Sequence, residues 1–225
     1  MNDRLYVECP CTSFPRSFAR DYKETYRYPP PSTVYGFLLS WVGEEDLRAH
    51  LGVKLAIGIL GEDPPVSRIL RKQRHHKFSR THQGEYPSAQ FSKPNFQEIL
   101  ADVRLALRID SMEETAAVTL SDRVAIALTT PEHISRFGGL SLGESWAMVN
   151  GVRRYREADG DIRWLQCDDR GRIGLPVWID RQTTRGTFRR FSLMEPAPDF
   201  DERAWVKIEA PTTTAKPKSK PKRYK

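Results

Sequence analysis

The stretch Pro29-Pro30-Pro31-Ser32-Thr33-Val34-Tyr35-Gly36-Phe37-Leu38-Leu39-Ser40-Trp41-Val42-Gly43 decides how the chain is organised. Three prolines stop any regular element and stiffen the approach to Ser32. The Ser32 hydroxyl can accept a hydrogen bond from a free first-turn amide, so Ser32 is the expected N-cap. Val34, Phe37, Leu38, Trp41 and Val42 recur at i, i+3, i+4, i+7 and i+8. That spacing makes one apolar helical face, and Gly43 is a fitting stop. Gly36 costs up to about 1 kcal/mol in a helix interior relative to alanine, which predicts close packing against a strand at that point.

On the N-terminal side, Leu5, Val7 and Cys9 alternate with Tyr6 and Glu8, the period of a half-buried strand. Residues 11–28 show no clear period and read as a loop. On the C-terminal side, 46–51 predicts a short helix and 54–60 a second strand. Val103, Leu105, Leu107 and Ile109 alternate with Asp102, Arg104, Ala106 and Arg108, a third strand with one buried face. Residues 121–129 read as a helix capped by Ser121, 138–143 as a glycine-rich loop, and 145–152 as a fourth strand. This order is the βαββαβ ferredoxin-like plan shared by RNA-recognition domains, an α+β fold. Beyond Gly151, the turn signals Asp159-Gly160, Arg170-Gly171 and Arg185-Gly186 separate short strand-like runs. The expected division is a ferredoxin-like domain over 1–155 with an insertion at about 65–95, a small β-rich part over 156–210, and a tail over 211–225.

With 225 residues, 39% of them hydrophobic and 29% charged, the chain can bury a core, which excludes disorder throughout. No run approaches the roughly 18 apolar residues that span a bilayer, and residues 1–13 lack a signal peptide's apolar core. Three cysteines cannot build a disulfide framework, which fits a reducing cytoplasm. The net charge of +7 is unevenly placed. The tail 211–225 carries six Lys/Arg and no acid, and 67–93 carries seven against Glu85, so the remaining body is mildly acidic. Two basic appendages on such a body suggest a polyanion held at defined places. The tail alternates Lys with Pro and Ser and reads as disordered. In the inner stretch His75, His76, His82, Phe78, Tyr86 and Phe91 interleave with cations. That mixture suits single-stranded nucleic acid, with cations on phosphates and rings on bases.

Residues 30–39 resemble the proline-rich signature, ending in Ser-Thr and a nearby glycine, that opens the first helix of the CRISPR-associated protein five family. Phe137-Gly138-Gly139-Leu140-Ser141-Leu142-Gly143-Glu144-Ser145 resembles the family's second landmark, a glycine loop with an LGES-like ending. The match runs over roughly residues 4–155 and looks closest to the type I-B or Myxococcus-like branch. The resemblance implies a non-catalytic subunit that binds the 5′ handle of a crRNA in a Cascade-type complex. It implies contacts with the backbone and large subunits, and target DNA met only through the complex. It also implies that the insertion projects as a thumb. Arg71, Lys72, Arg74, His75, His76, Lys77 and Arg80 would then face the RNA. Gly138, Gly139, Ser141 and Gly143 would let backbone amides approach it, with Arg27, Tyr28 and Trp146 on the same surface.

Other chemistries have weaker support. The third strand lacks the aromatic residues on which an ordinary RNA-recognition domain stacks bases. His75, His76, His82, Lys77 and Tyr35 or Tyr86 could supply the acid, base and cation of a metal-independent endoribonuclease that processes pre-crRNA, the alternative reading. His50 and His133 fall at helix ends, where capping or solvent contact is expected. Cys9-Pro10-Cys11 lacks the further ligands a structural zinc needs, so neither a metal nor a cofactor is expected. The glycine loop lacks a succeeding Gly-Lys-Ser/Thr and is no phosphate-binding Walker loop.

Overall fold

The computed structural model describes residues 4–16, 22–74, 92–180, 185–196 and 200–211. Its elements in chain order are β1 (Leu5–Thr12), β2 (Tyr22–Lys23), α1 (Pro31–Trp41), β3 (Lys54–Leu60), β4 (Val66–Arg74), β5 (Ser92–Asp110), α2 (Leu120–Thr129), β6 (Gly151–Arg154), β7 (Ile162–Cys167), β8 (Ile173–Ile179), β9 (Gly186–Leu193) and β10 (Val206–Lys207). The strands join one sheet in the order β6-β1-β5-β3-β7-β9-β8, with β10 beside β3 and both β2 and β4 beside β5. The chain is therefore α+β and dominated by a largely antiparallel sheet with few helices.

Alternation along the central strands sorts the side chains onto two faces. Leu5, Val7 and Cys9 of β1, Leu55, Ile57 and Ile59 of β3, and Val103, Leu105 and Leu107 of β5 form the larger core with Val34, Leu38 and Val124 of the two helices. The opposite face is also covered, by a smaller cluster of Tyr6, Ala56, Leu60, Ala106, Tyr155 and Trp164 with Phe200 and Trp205 against it. The C-terminal strands do not stand apart: β7 continues the sheet beyond β3 through the pairs Gly58↔Trp164 and Leu60↔Ile162.

Several local expectations change. Helix α1 starts two residues early, with Pro30 as cap in place of Ser32 and no side-chain cap bond; the Ser32 hydroxyl is buried without a hydrogen-bond partner among the described residues. Gly36 is not packed on a strand, because a Cβ there would meet nothing within 4 Å. Helix α2 is capped by Thr119, whose side chain and Asp122 form a reciprocal capping box, so Ser121 is a first-turn residue. Residues 46–51 form turns, and the fourth strand is 151–154, not 145–152. The loop over 11–28 contains β2, which pairs in parallel with β5 through Tyr22↔Phe96 and Lys23↔Gln97.

The largest difference is in β5, which runs for 19 residues. Its second half lies in the body between β1 and β3, through pairs such as Leu5↔Leu107 and Ile57↔Leu107. Its first half pairs with β4 from Val66↔Leu100 to Arg74↔Ser92, forming a two-stranded arm. Pro10, which has no amide to donate, falls between the register pairs Cys9↔Val103 and Cys11↔Ala101. Opposite it Asp102 adopts φ 50°, and there β5 passes from body to arm.

Candidate nucleic-acid interface

The arm grows from the acidic body by a set of polar joints. At its root Glu98 accepts from the Tyr22 hydroxyl at 2.6 Å and from the Thr25 amide at 3.1 Å. Arg68 lies 3.8 Å from the same carboxylate and 5.8 Å from the Tyr22 ring centroid. These contacts hold the Glu98 carboxyl below its ordinary pKa although its partial burial pushes the other way. On the other face of the ribbon Arg71 donates to the Gln97 carbonyl at 2.7 Å, and the fully buried Gln97 donates its amide onward to Glu144.

Glu144 belongs to the glycine loop. It also accepts from the Trp146 indole at 2.5 Å, and Lys23 and Arg71 stand 3.9 and 4.0 Å away. One carboxylate thus links arm, β2 and loop. The loop itself is pinned below: the Thr12 hydroxyl donates to the Leu142 carbonyl, and Leu142 is fully buried. Gly143 has φ 97°, and a Cβ there would lie 2.4 Å from the Ser13 carbonyl oxygen, so only glycine lets the loop settle on β1. Ser141 bridges to Met148 across the loop. Gly138 and Gly139 are exposed at its tip beside a fully exposed Phe137.

The expected site residues divide into four groups. Arg71, Gly138, Gly139, Ser141, Gly143 and Trp146 belong to the arm root and the loop joined to it. Arg71 and Trp146 already spend donors on Gln97 and Glu144, so their polar ends brace the site. Arg27 and Tyr28 gather at Asp63, just ahead of β4: Tyr28 donates to it at 2.9 Å, Arg27 stands 3.9 Å away, and Arg163 donates at 3.0 Å. Burial, with the Asp63 bond second, pushes the Tyr28 hydroxyl up to about 12, so it stays protonated and serves as a fold contact. Lys72 and Arg74 lie on β4 by backbone. His75, His76, Lys77 and Arg80, with His82 and Tyr86 of the nuclease reading, lie outside the described residues, as does the tail beyond Pro211. Tyr35, the other tyrosine of that reading, is buried and donates to the Leu47 carbonyl at 2.9 Å.

Sequence reasoning missed the bracing carboxylates Glu98 and Glu144 and two exposed apolar positions, Leu70 and Phe96, which pair across the arm. Tyr22 meets Glu98, Gln97 meets Glu144 and Leu70 meets Phe96 only in the folded molecule, across long stretches of sequence. His50 is not the helix-end residue expected. It is 2% exposed and bonded to the Glu114 carboxylate, with Arg123 3.2 Å from its other ring nitrogen. Arg123 in turn reaches the Val42 carbonyl at 2.9 Å and Glu44 at 2.5 Å, tying α1 to α2.

No family model matches the chain. A Myxococcus xanthus protein described as CRISPR-associated protein Cas5 is 36% identical over 186 residues, covering 81% of this chain and 85% of that protein. A chain from a solved CRISPR RNA-guided surveillance complex shares the fold with a TM-score of 0.58 at 14% identity, covering 86% of this chain and 90% of that one. No described helix is long and apolar enough to cross a membrane. The extent and level of identity to the Myxococcus protein place this chain in the CRISPR-associated protein Cas5 family.

Proposed function

We propose that the chain is the subunit that holds the 5′ handle of a crRNA at the end of a type I Cascade surveillance complex. It abuts the first backbone subunit and the large subunit, and it meets target DNA only through the complex. The order β6-β1-β5-β3, with both helices packed on one face, supports reading the body as a ferredoxin-like βαββαβ domain. The β4–β5 ribbon then forms the stem of the thumb. The observation that carries the proposal is the joint at Glu144, which makes the basic arm and the glycine loop one unit. A cationic ribbon fixed beside exposed loop glycines offers charge for phosphates and close backbone approach for the strand.

The role is binding without cleavage. The free thiols of Cys9, Cys11 and Cys167 support action in a reducing cytoplasm. Contacts to about seven phosphates of a single strand give a log–log salt slope near −5, roughly a thousandfold loss of affinity between about 50 and 200 mM salt. Neighbouring subunits must then supply the remaining hold at cellular ionic strength.

The test is co-expression with the backbone subunits, the large subunit and a repeat–spacer transcript. Replacing residues 75–91 by Asn-Gly closes the ribbon with a two-residue turn where Arg74 faces Ser92. The expected result is loss of guide-loaded complex while the variant itself stays folded. Full recovery of complex and guide would overturn the thumb role. Guide cleavage by the isolated chain in EDTA, abolished in His76→Ala, would overturn the non-catalytic one.

A further inference from the structure

The helix-free face of the sheet carries a second arrangement, apart from the arm. Tyr6 stands beside Arg153 on one side and Ala106 on the other, and Gly58 stands between Ala106 and Trp164. The small residues let Ile162 and Trp164 close down on the sheet, since a Cβ on Gly58 would lie 2.2 Å from Ile162 Cγ2. At the end of this row Tyr155 donates its amide to the Arg4 carbonyl at 2.9 Å, and the Arg4 guanidinium lies 5.6 Å from the Tyr155 ring centroid. Trp164 meets Phe200 edge to face at 5.1 Å. Beside these residues opens a cleft of about 420 Å³, lined by Arg4, Tyr155, Asp161, Ile162, Trp164 and Phe200 together with Pro196.

Three properties suit this cleft to a planar heterocycle. Tyr155 and Trp164 are each 7% exposed and show the cleft only their rims, with the partly buried Phe200 beside them, so a flat ring can slot against aromatic edges. Its volume falls within the range of small-molecule sites. It also holds two charged side chains of opposite sign, Arg4 and Asp161, and neither forms an ion pair among the described residues. A guanidinium offers paired donors and a carboxylate paired acceptors. Guanine alone among the RNA bases presents neighbouring donors, N1–H and N2–H₂, on one edge and neighbouring acceptors, O6 and N7, on another. The wall bearing Tyr155 belongs to the run Arg153-Arg154-Tyr155-Arg156, a cation–aromatic alternation of the kind that accompanies phosphates. Arg153 is committed to Asp159 at 2.6 and 2.7 Å, whereas Arg156 is exposed.

We propose that this cleft binds a nucleobase, guanine being the best match, as a free nucleotide or as an unpaired base of a single strand. Arg4 donates to the acceptor edge, Asp161 accepts from the donor edge, and Tyr155 with Trp164 flanks the ring. The site does not depend on the arm.

The experiment titrates the full chain with GMP, AMP, UMP and short single-stranded RNAs with and without guanine, read by calorimetry. The expected result is at least fivefold preference for GMP over UMP, at least tenfold weakening in Arg4→Ala, and loss of the guanine preference in Asp161→Ala. Both side chains reach solvent, and thermal melts of the variants confirm that the fold survives. The chain with residues 75–91 replaced should keep its GMP affinity, which separates this site from the arm. Binding only of guanine-containing RNA, with the same sensitivity to Arg4→Ala, assigns the base to a strand and upholds the proposal. Unchanged affinities for every ligand in both variants, no nucleotide or RNA binding at all, or a partner subunit's side chain cross-linked into the cleft would overturn it.

Discussion

At Glu144 the amide of Gln97 and the indole of Trp146 converge on one carboxylate, with Lys23 and Arg71 about 4 Å off. Removing that acceptor leaves the fully buried Gln97 with an unsatisfied donor, a loss of about 1–3 kcal/mol. Glu144→Ala should lower the melting temperature by several degrees and weaken RNA binding, whereas Glu144→Gln should recover part of both. Thermal melts and RNA titrations of the two variants check this. Asp102 offers a second residue-level test. Its φ of 50° suits Asp, Asn or Gly and strains a β-branched residue, so Asp102→Val should cost about 1–2 kcal/mol and Asp102→Gly almost nothing in a denaturant titration. Cys9 offers a third, because burial pushes its thiol up to about 11. The thiolate is the nucleophile and the Cys9 side chain is fully buried, so at pH 8 alkylation of the native protein should spare Cys9, and unfolding in denaturant should make it react. None of these assignments was visible in the sequence. Gln97 and Glu144 are 47 positions apart, and a left-handed aspartate is defined by its strand partners, not by its neighbours.

Among the elements, those with one buried face were legible and those without were not. The 103–109 alternation marked the body half of β5 because Val103, Leu105 and Leu107 enter the core. The arm half has no buried apolar face: Arg68, Leu70 and Phe96 are exposed and its buried position is the polar Gln97, so its strands left no period and read only as a basic insertion. Helix α1 was legible from its apolar stripe, but its start was not, since Pro31 at the first position needs no cap for a missing amide. Helix α2 shows the same limit, with two hydroxyl residues competing for one cap. Thr119→Ala should cost about 1 kcal/mol, and Ser121→Ala clearly less, since Ser121 is bonded mainly to Ser111. Urea unfolding of the two variants side by side measures the difference.

Over the whole molecule, one strand joins arm and body. β5 runs from the core between β1 and β3 out into the ribbon beside β4. The charge plan legible in the sequence, basic appendages on an acidic body, suits an extended polyanion better than a compact ligand. Ending the chain after Ala210 removes six cations from that plan yet leaves arm and loop intact. RNA affinity should fall only modestly, and loss of all binding would instead make the tail the principal contact. The decisive experiment is ultraviolet cross-linking of the guide within the assembled complex, with mapping of the attached peptides. Cross-links from the guide's 5′-terminal nucleotides should fall on the arm, 66–99, and on the glycine loop, 137–146. Their absence from both segments, with those nucleotides attached instead to other subunits, would contradict the handle-binding role.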